Sequence, residues 1–444
     1  MSVTKAFVMS FIKRAAIRDG VYVGAGLSLT ILSGLALTVV CARALTIEEF
    51  AAVNWILGLL TYFAVLGQVG SAHSGTVLSS QIPRDNLFHT VFKLIGIVVL
   101  ASSVVSVAWY FFIKDMMFAN FEHVTPEYLL VSKFLHYWVP IAALLPVVAS
   151  VFRGIRRFDL SSIFGDHIRR FAIIISLVLL MFFYSDSASL GVIVVFAIAI
   201  ELVALLFAIL LLKMKLNVDK ASIEDQMSTA GLFNYTSKFY LAALAAAFVP
   251  QSAVWLLPFT SAPIEVANMS IAVRVSFIIS IPFFIAGKVL APRIAKAAGE
   301  ANLKKMEGRL RAVTTMSFLF GFVMLFVFWI YATELVNLLF GAEYRDAVST
   351  ILLLSTAKIL GAVFGFWMLV LSSSGLASIA SKILIGYIPV YCALVYFITQ
   401  DYGANGAAIA TIVYILMVNV HSWVIVKRLC GINTAITFTG LRVP

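Results

Sequence analysis

The sequence is short of charge. Only 12% of its 444 residues are Asp, Glu, Lys or Arg, against 62% hydrophobic residues, and its mean hydropathy is +1.03. Soluble domains carry about 25% charged residues. A chain this poor in charge cannot cover its apolar surface in water, so lipid must solvate most of it. Cysteine is nearly absent too. Cys41, Cys392 and Cys430 have no paired spacing, which excludes a disulfide framework and a metal-type cluster and leaves packing as their use. Also missing are the G-x-x-x-x-G-K-[ST] loop of an ATP-driven pump, the H-E-x-x-H helix and the G-x-S-x-G turn. The six histidines are scattered, and no polar stretch is long enough for a separate soluble domain. These absences argue against an enzyme and for a transporter that needs no cofactor, driven by its substrate gradient or by proton or sodium coupling.

What the sequence does contain is a series of apolar runs. They read as twelve spans, at 21–42, 50–71, 91–113, 128–152, 169–184, 189–212, 232–257, 267–290, 312–333, 348–371, 379–399 and 404–426. Most are near the roughly 20 residues that a spanning helix takes. Ahead of them, Lys5, Lys13, Arg14 and Arg18 punctuate Val3, Phe7 and Phe11. That spacing makes residues 1–19 an amphipathic segment expected on the membrane surface, not a cleavable signal.

Charge supplies the orientation. Counted with the helix ends that border them, the N-terminus, the even-numbered gaps and the C-terminus carry 24 Lys and Arg and 9 acids. The odd-numbered gaps carry only Arg43, Lys114 and Arg345, with 11 acids. Cytoplasmic loops collect Lys and Arg, so both termini are expected in the cytoplasm. The formal net charge of +11 is therefore a topology signal and not a nucleic-acid one. The longest polar segment, 213–231, divides the spans six and six. This predicts an N-lobe at 20–212, a cytoplasmic linker at 213–231, a C-lobe at 232–426 and a cytoplasmic tail at 427–444. A faint internal echo, TIEEFAAVN ending at Asn54 and PIEVANMS with Asn268, fits two similar halves.

Ionisable groups inside spans are costly and mark function or pairing. Five basic residues and one acid are read there. Lys93, at the cytoplasmic start of span three, can snorkel to the headgroups. Lys133 shares a helix face with His136 in span four, and Lys238 shares one with Asn234 in span seven. For both lysines, snorkelling and cavity lining stay open. Arg274 in span eight cannot shed its proton. Lys358, near the middle of span ten, has Gly361 and Gly365 on its face, where a helix or a ligand can come close. Arg274 and Lys358 are expected to face a cavity, the alternative being a structural ion pair. Glu201, in span six with Ala197, Ala204 and Ala208 on its face, either balances a basic residue or takes up a coupling proton. The cationic excess favours an anionic cargo, such as a phosphate-bearing lipid. Pro140, Pro146, Pro250, Pro282 and Pro389 fall inside spans, where each can kink or hinge its helix.

Five stretches carry a family resemblance. They are ARALTIEEFAAVN with Arg43 and Glu49, VFRGIRRFDL with Gly154 and Phe158, and the span-eight stretch from Arg274 through Pro282 to VLAPRIAKAAGEANLKKM. LFGAEYRDA and YGANGAAIAT complete the set. In these the chain resembles the polysaccharide-transport branch of the multidrug/oligosaccharidyl-lipid/polysaccharide exporter superfamily, with Thr46 where the family usually has Gly. The resemblance implies an all-α polytopic membrane protein, with about twelve helices in two six-helix lobes around a central cavity. It implies a flippase for undecaprenyl-diphosphate-linked oligosaccharide units of O-antigen, capsule or exopolysaccharide, in the bacterial inner membrane. The expected substrate-binding residues are then Arg274, Lys358, Lys133, Lys238 and His136, with Glu201 for ion coupling. A monomer that works with membrane lipids and hands its product to a downstream polysaccharide polymerase fits this picture. A multidrug exporter of the same superfamily is the second reading, although it would want more acids in the N-terminal lobe. A membrane glycosyltransferase is disfavoured, because the longest outer loop, 114–127, is too short for a catalytic domain.

Overall fold

The computed structural model describes residues 29–438 except 83, 166, 184–189, 217–227 and 301. The expected amphipathic segment 1–19, most of the linker and residues 439–444 lie outside the described residues. Among these the chain is helical, with no strand. The helices are α1 Leu29–Ala44, α2 Ile47–Gln68, α3 Ser71–Gln81, α4 Arg84–Ala108, α5 Pro126–Ser132, α6 Leu135–Gly154, α7 Phe158–Ile163, α8 His167–Phe183 and α9 Leu190–Lys215. They continue as α10 Thr229–Ser237, α11 Tyr240–Leu256, α12 Pro263–Gly299, α13 Glu307–Leu339, α14 Ala347–Val363, α15 Trp367–Ser373, α16 Ala377–Gly386 and α17 Ile388–Leu429.

Among the described residues seven helices are long and apolar enough to cross a membrane, or nine if two bent pairs each count as one span. Their outer faces keep large apolar side chains exposed, such as Val203, Leu206 and Phe207 on α9 and Phe322, Phe326 and Trp329 on α13. Water does not tolerate such faces over many turns and lipid does. The chain is a multi-pass membrane protein.

Several expected spans are broken. Span four is interrupted at Lys133–Phe134 between α5 and α6, and span seven at Lys238–Phe239 between α10 and α11. Span ten bends by 46° between α14 and α15. Span eleven breaks at Tyr387, so Pro389 does not kink a helix interior. It sits in the first turn of α17, where its missing N–H costs nothing. The separation of spans eleven and twelve lies within α17 at Gly403, whose φ of +47° and ψ of −130° interrupt the helix. Tyr391 and Tyr414 meet edge to face at 5.3 Å, and Tyr387 reaches His421. These pairs run in opposite directions along the chain, so the two arms of α17 are antiparallel.

The helices fall into two compact units. The first takes in the chain up to Val40, Phe63–Ile113 and Leu130–Tyr240. Its centre is α6, buried along most of its length and packed by α3, α4 and α9. The Ser- and Gly-rich α3 falls in a stretch read as a loop. It earns its place through small residues that let two backbones approach. Thr76 Oγ1 donates to the Ser150 carbonyl at 3.1 Å and Ser79 Oγ to that of Val151 at 3.3 Å. A Cβ on Gly154 would stand 2.6 Å from the Thr76 carbonyl oxygen, so only glycine fits there.

The second unit takes in Cys41–Tyr62, Lys114–Leu129 and the chain from Leu241 onward. Here α12 packs along α14, α13 and α15, and α14 along α17. The motif ARALTIEEF explains itself locally. Thr46 and Glu49 cap the start of α2 reciprocally, at 3.0 and 3.3 Å. Arg43 donates to the carbonyls of Asn337, Leu338 and Leu339, closing the end of α13. Beyond α17, Ile432, Thr434 and Thr437 are buried. Thr434 Oγ1 donates to the Phe364 carbonyl at 2.7 Å and Ile436 N–H to that of Val363 at 2.9 Å. These bonds satisfy backbone groups freed by the α14–α15 bend.

Candidate functional site

The single acid expected inside the first unit's spans is fully engaged. Glu201, on α9, is 0% exposed. Its carboxylate takes the Arg169 guanidinium, with Nη2–Oε1 at 3.1 Å and Nε at 3.2 and 3.3 Å from the two oxygens. Trp138 Nε1 donates to Oε2 at 2.6 Å, and Arg169 Nη2 also reaches the Ala142 carbonyl at 3.4 Å. One ion pair thus ties α6, α8 and α9 together. Of the two open readings of Glu201, this geometry is that of a balanced charge. A proton taken up here would leave Arg169, 11% exposed, without its counter-ion.

The other candidates of the first unit sit at helix breaks. Lys133 is exposed in the turn between α5 and α6. His136, one turn on, is half-buried against the rings of Tyr110 and Tyr137, 5.0 and 3.8 Å between centroids. Lys238 is exposed at the end of α10, and Asn234 on the same face is exposed as well. The structure does not bring these two lysines into one buried site.

Arg274 and Lys358 belong to the second unit, on α12 and α14, two helices packed against each other. Both are partly buried. Arg274 is engaged with its surroundings. Lys358 makes no hydrogen bond or ion pair among the described residues. The small residues on its helix serve neighbours within the fold. Gly361 lies where a Cβ would stand 3.2 Å from Ile415 on α17, and Gly365 lies under the Thr434 carbonyl.

Two features escaped sequence reasoning. Arg169 stands at the mouth of span five, among loop arginines, and only packing shows it turning inward to Glu201. At the far end of the second unit from its C-terminal segment, acids from four separate connections line one cavity: Glu122, Glu265, Asp346 and Asp401. The signal available was the acid excess of the odd-numbered gaps, which gives a face and not a site.

No sequence-family profile matches the chain, and no curated protein aligns with it. Solved structures do resemble it. An inward-facing multidrug resistance MATE family transporter of the MOP superfamily superposes with a TM-score of 0.72 at 14% identity, over 91% of this chain and 94% of that one. The lipid II flippase MurJ in an inward closed conformation gives 0.67 at 13% identity, over 91% and 87%. A MOP superfamily transporter from Pyrococcus furiosus, described as having reversed polarity of its binding pocket, gives 0.65 at 14% identity, over 94% and 96%. At this level of identity the likeness is one of architecture. The chain has the fold of the MOP superfamily transporters.

Proposed function

We propose that the chain is a flippase that carries undecaprenyl-diphosphate-linked oligosaccharide units from the cytoplasmic to the periplasmic leaflet of a bacterial inner membrane. It works by alternating access of two six-helix lobes, with both termini cytoplasmic. The observation that carries this reading is Lys358, a partly buried cation midway along α14 without hydrogen bond or ion pair among the described residues. Such a cation in a membrane is costly unless an anion visits it. Arg274 adds a guanidinium on the neighbouring helix, and guanidinium forks suit phosphate oxygens. The buried acid that could have neutralised this excess, Glu201, is already spent on Arg169. The prenyl tail stays in lipid, the chain acts as a monomer, and a polysaccharide polymerase consumes the product.

The test uses a knockout strain complemented with wild type or an Arg274→Ala, Lys358→Ala variant. A membrane-impermeant oxidant on spheroplasts reports which leaflet holds the lipid-linked unit. The expected outcome is a complete unit trapped on the cytoplasmic side in the knockout and in the variant. Normal surface polysaccharide in the variant sinks this reading. A second reading, a multidrug exporter, draws on the fold shared with the inward-facing multidrug resistance MATE family transporter. Drug susceptibility that rises in the knockout while the lipid-linked unit crosses normally would favour it.

A further inference from the structure

The second unit holds a cavity of about 580 Å³, assembled from chain segments far apart in sequence. Its walls come from the Glu122–His123 loop, the turn before α12, the first turn of α14 and the Gly403 break of α17. No Lys or Arg among the described residues lines it. Asn268, one turn into α12, is 1% exposed, lines this cavity, and leaves its buried side-chain oxygen without a hydrogen bond among the described residues. A buried polar atom left unpaired costs about 1–3 kcal/mol, so it is expected where a ligand supplies the missing partner.

The rest of the wall is already built. Glu265 Oε2 accepts the Ala404 N–H at 2.7 Å, which fixes the carboxylate beside the Gly403 break. Thr260 and Thr399 share a hydroxyl hydrogen bond of 2.6 Å. The Asn405 amide oxygen accepts from Thr350 at 2.8 Å and from Ser349 at 3.0 Å, which leaves its NH₂ group to donate. The site is therefore rich in acceptors, with a few fixed donors and little apolar wall.

Three ligand classes fail against this lining. Phosphate is repelled by four carboxylates with no lining Lys or Arg among the described residues to offset them. A bare metal ion needs several oxygens within about 2.6 Å of one point, and no three His, Cys, Asp or Glu side chains among the described residues are grouped to hold one. A lipophilic cation needs a mostly apolar or aromatic pocket. A molecule that presents many hydroxyl donors, and has acceptors of its own for the Asn405 amide, fits each wall. The volume lies within the roughly 300–1,000 Å³ of small-molecule sites. We infer that this cavity is a saccharide-binding site, with the Asn268 side-chain oxygen and the Glu265 carboxylate as principal acceptors. The assignment rests on the flippase reading only for where the sugar comes from, namely the cargo's oligosaccharide. It places sugar and diphosphate recognition in chemically opposite parts of the second unit.

The experiment uses the full chain, purified into lipid nanodiscs, with free galactose, glucosamine and N-acetylglucosamine as probes and tetraphenylphosphonium as the cationic control. Saturation-transfer NMR reads binding. The expected result is binding of at least one sugar, weakened roughly three- to tenfold by Asn268→Leu and also by Asp401→Asn at the exposed rim. The unfolding temperature of Asn268→Leu should not fall, because the variant removes an orphaned acceptor. No sugar binding at tens of millimolar, binding that neither variant weakens, or binding of tetraphenylphosphonium alone would each overturn the assignment. Sugar binding by a chain that then fails the leaflet assay keeps the cavity and removes the flippase reading, so the two fail separately.

Discussion

Two buried polar groups, one in each unit, are held in opposite ways. In the first, Glu201 is enclosed and every strong interaction its carboxylate needs is present: a guanidinium fork from Arg169 and an indole N–H from Trp138. In the second, the Asn268 side-chain oxygen is enclosed with no partner, and Lys358 lies partly buried without one among the described residues. Low dielectric strengthens satisfied groups and penalises orphans. A completed network rigidifies, whereas an unpartnered polar atom that lines a cavity is open to a partner from outside the fold. By this contrast the Glu201–Arg169 pair of the first unit is a brace, and Asn268 and Lys358 of the second are the groups we propose for binding.

The contrast breaks most easily at the brace. Arg169→Ala should cost about 3–5 kcal/mol of stability, because it strands a buried carboxylate. The double variant Arg169→Met, Glu201→Leu should lose much less, since both charges leave together. Denaturant unfolding in detergent reads both. If Glu201 instead carried a coupling proton, Glu201→Gln would stop transport at wild-type stability, and the brace reading would fall. Next in size is Lys358→Ala. It should lower transport roughly ten- to hundredfold, the equivalent of one charged hydrogen bond to cargo of about 1.5–3 kcal/mol, with its unfolding temperature unchanged. A large stability loss there would place Lys358 with the brace. Of the same order is Trp138→Phe, which removes a donor to the Glu201 carboxylate and should cost about 1.5–3 kcal/mol of stability, with the smaller ring's lost packing added.

Much of this was legible in the sequence, and the remainder was hidden for definite reasons. The apolar runs marked the membrane helices, and the gap between the runs 379–399 and 404–426 fell at the reversal inside α17, where Gly403 takes a positive φ. The turn at Arg43–Glu49 was visible as a motif, but its work was not, since Arg43 closes α13 nearly three hundred residues away. Breaks at Lys133, Lys238 and Tyr387 were missed because hydropathy averages over a window and does not register one lost helical turn. The polar helix α3 was missed because Ser and Gly signal loops in water, although in a membrane they are close-packing residues. Glu201 was conspicuous as a lone acid. Its partner was not, because Arg169 lies at a span's mouth with other arginines, and charge counting assigns such residues to loops.

Burial as the source of the brace's strength can be isolated within the first unit itself. Arg157 and Asp159 also pair a guanidinium with a carboxylate, with Nε–Oδ1 at 3.0 Å and Nη2–Oδ2 at 2.7 Å, in the connection between α6 and α8. There both side chains are more than a third exposed. The hydrogen bonds from Arg157 hold the Asp159 carboxyl below the ordinary aspartate value of 3.8, with partial burial opposing. A depressed carboxyl pKa stabilises the fold above the unfolded value, and the contribution is lost as pH falls through the folded one. Any dependence on this pair therefore appears only below about pH 4. Because water and salt screen an exposed pair, Asp159→Asn should cost no more than about 1 kcal/mol at neutral pH. If it costs as much as Arg169→Ala, fork geometry sets the energy, and the contrast drawn from burial fails. If it is nearly silent while Arg169→Ala unfolds the protein, the pair with the shorter hydrogen bonds is the weaker one, and burial outweighs hydrogen-bond length.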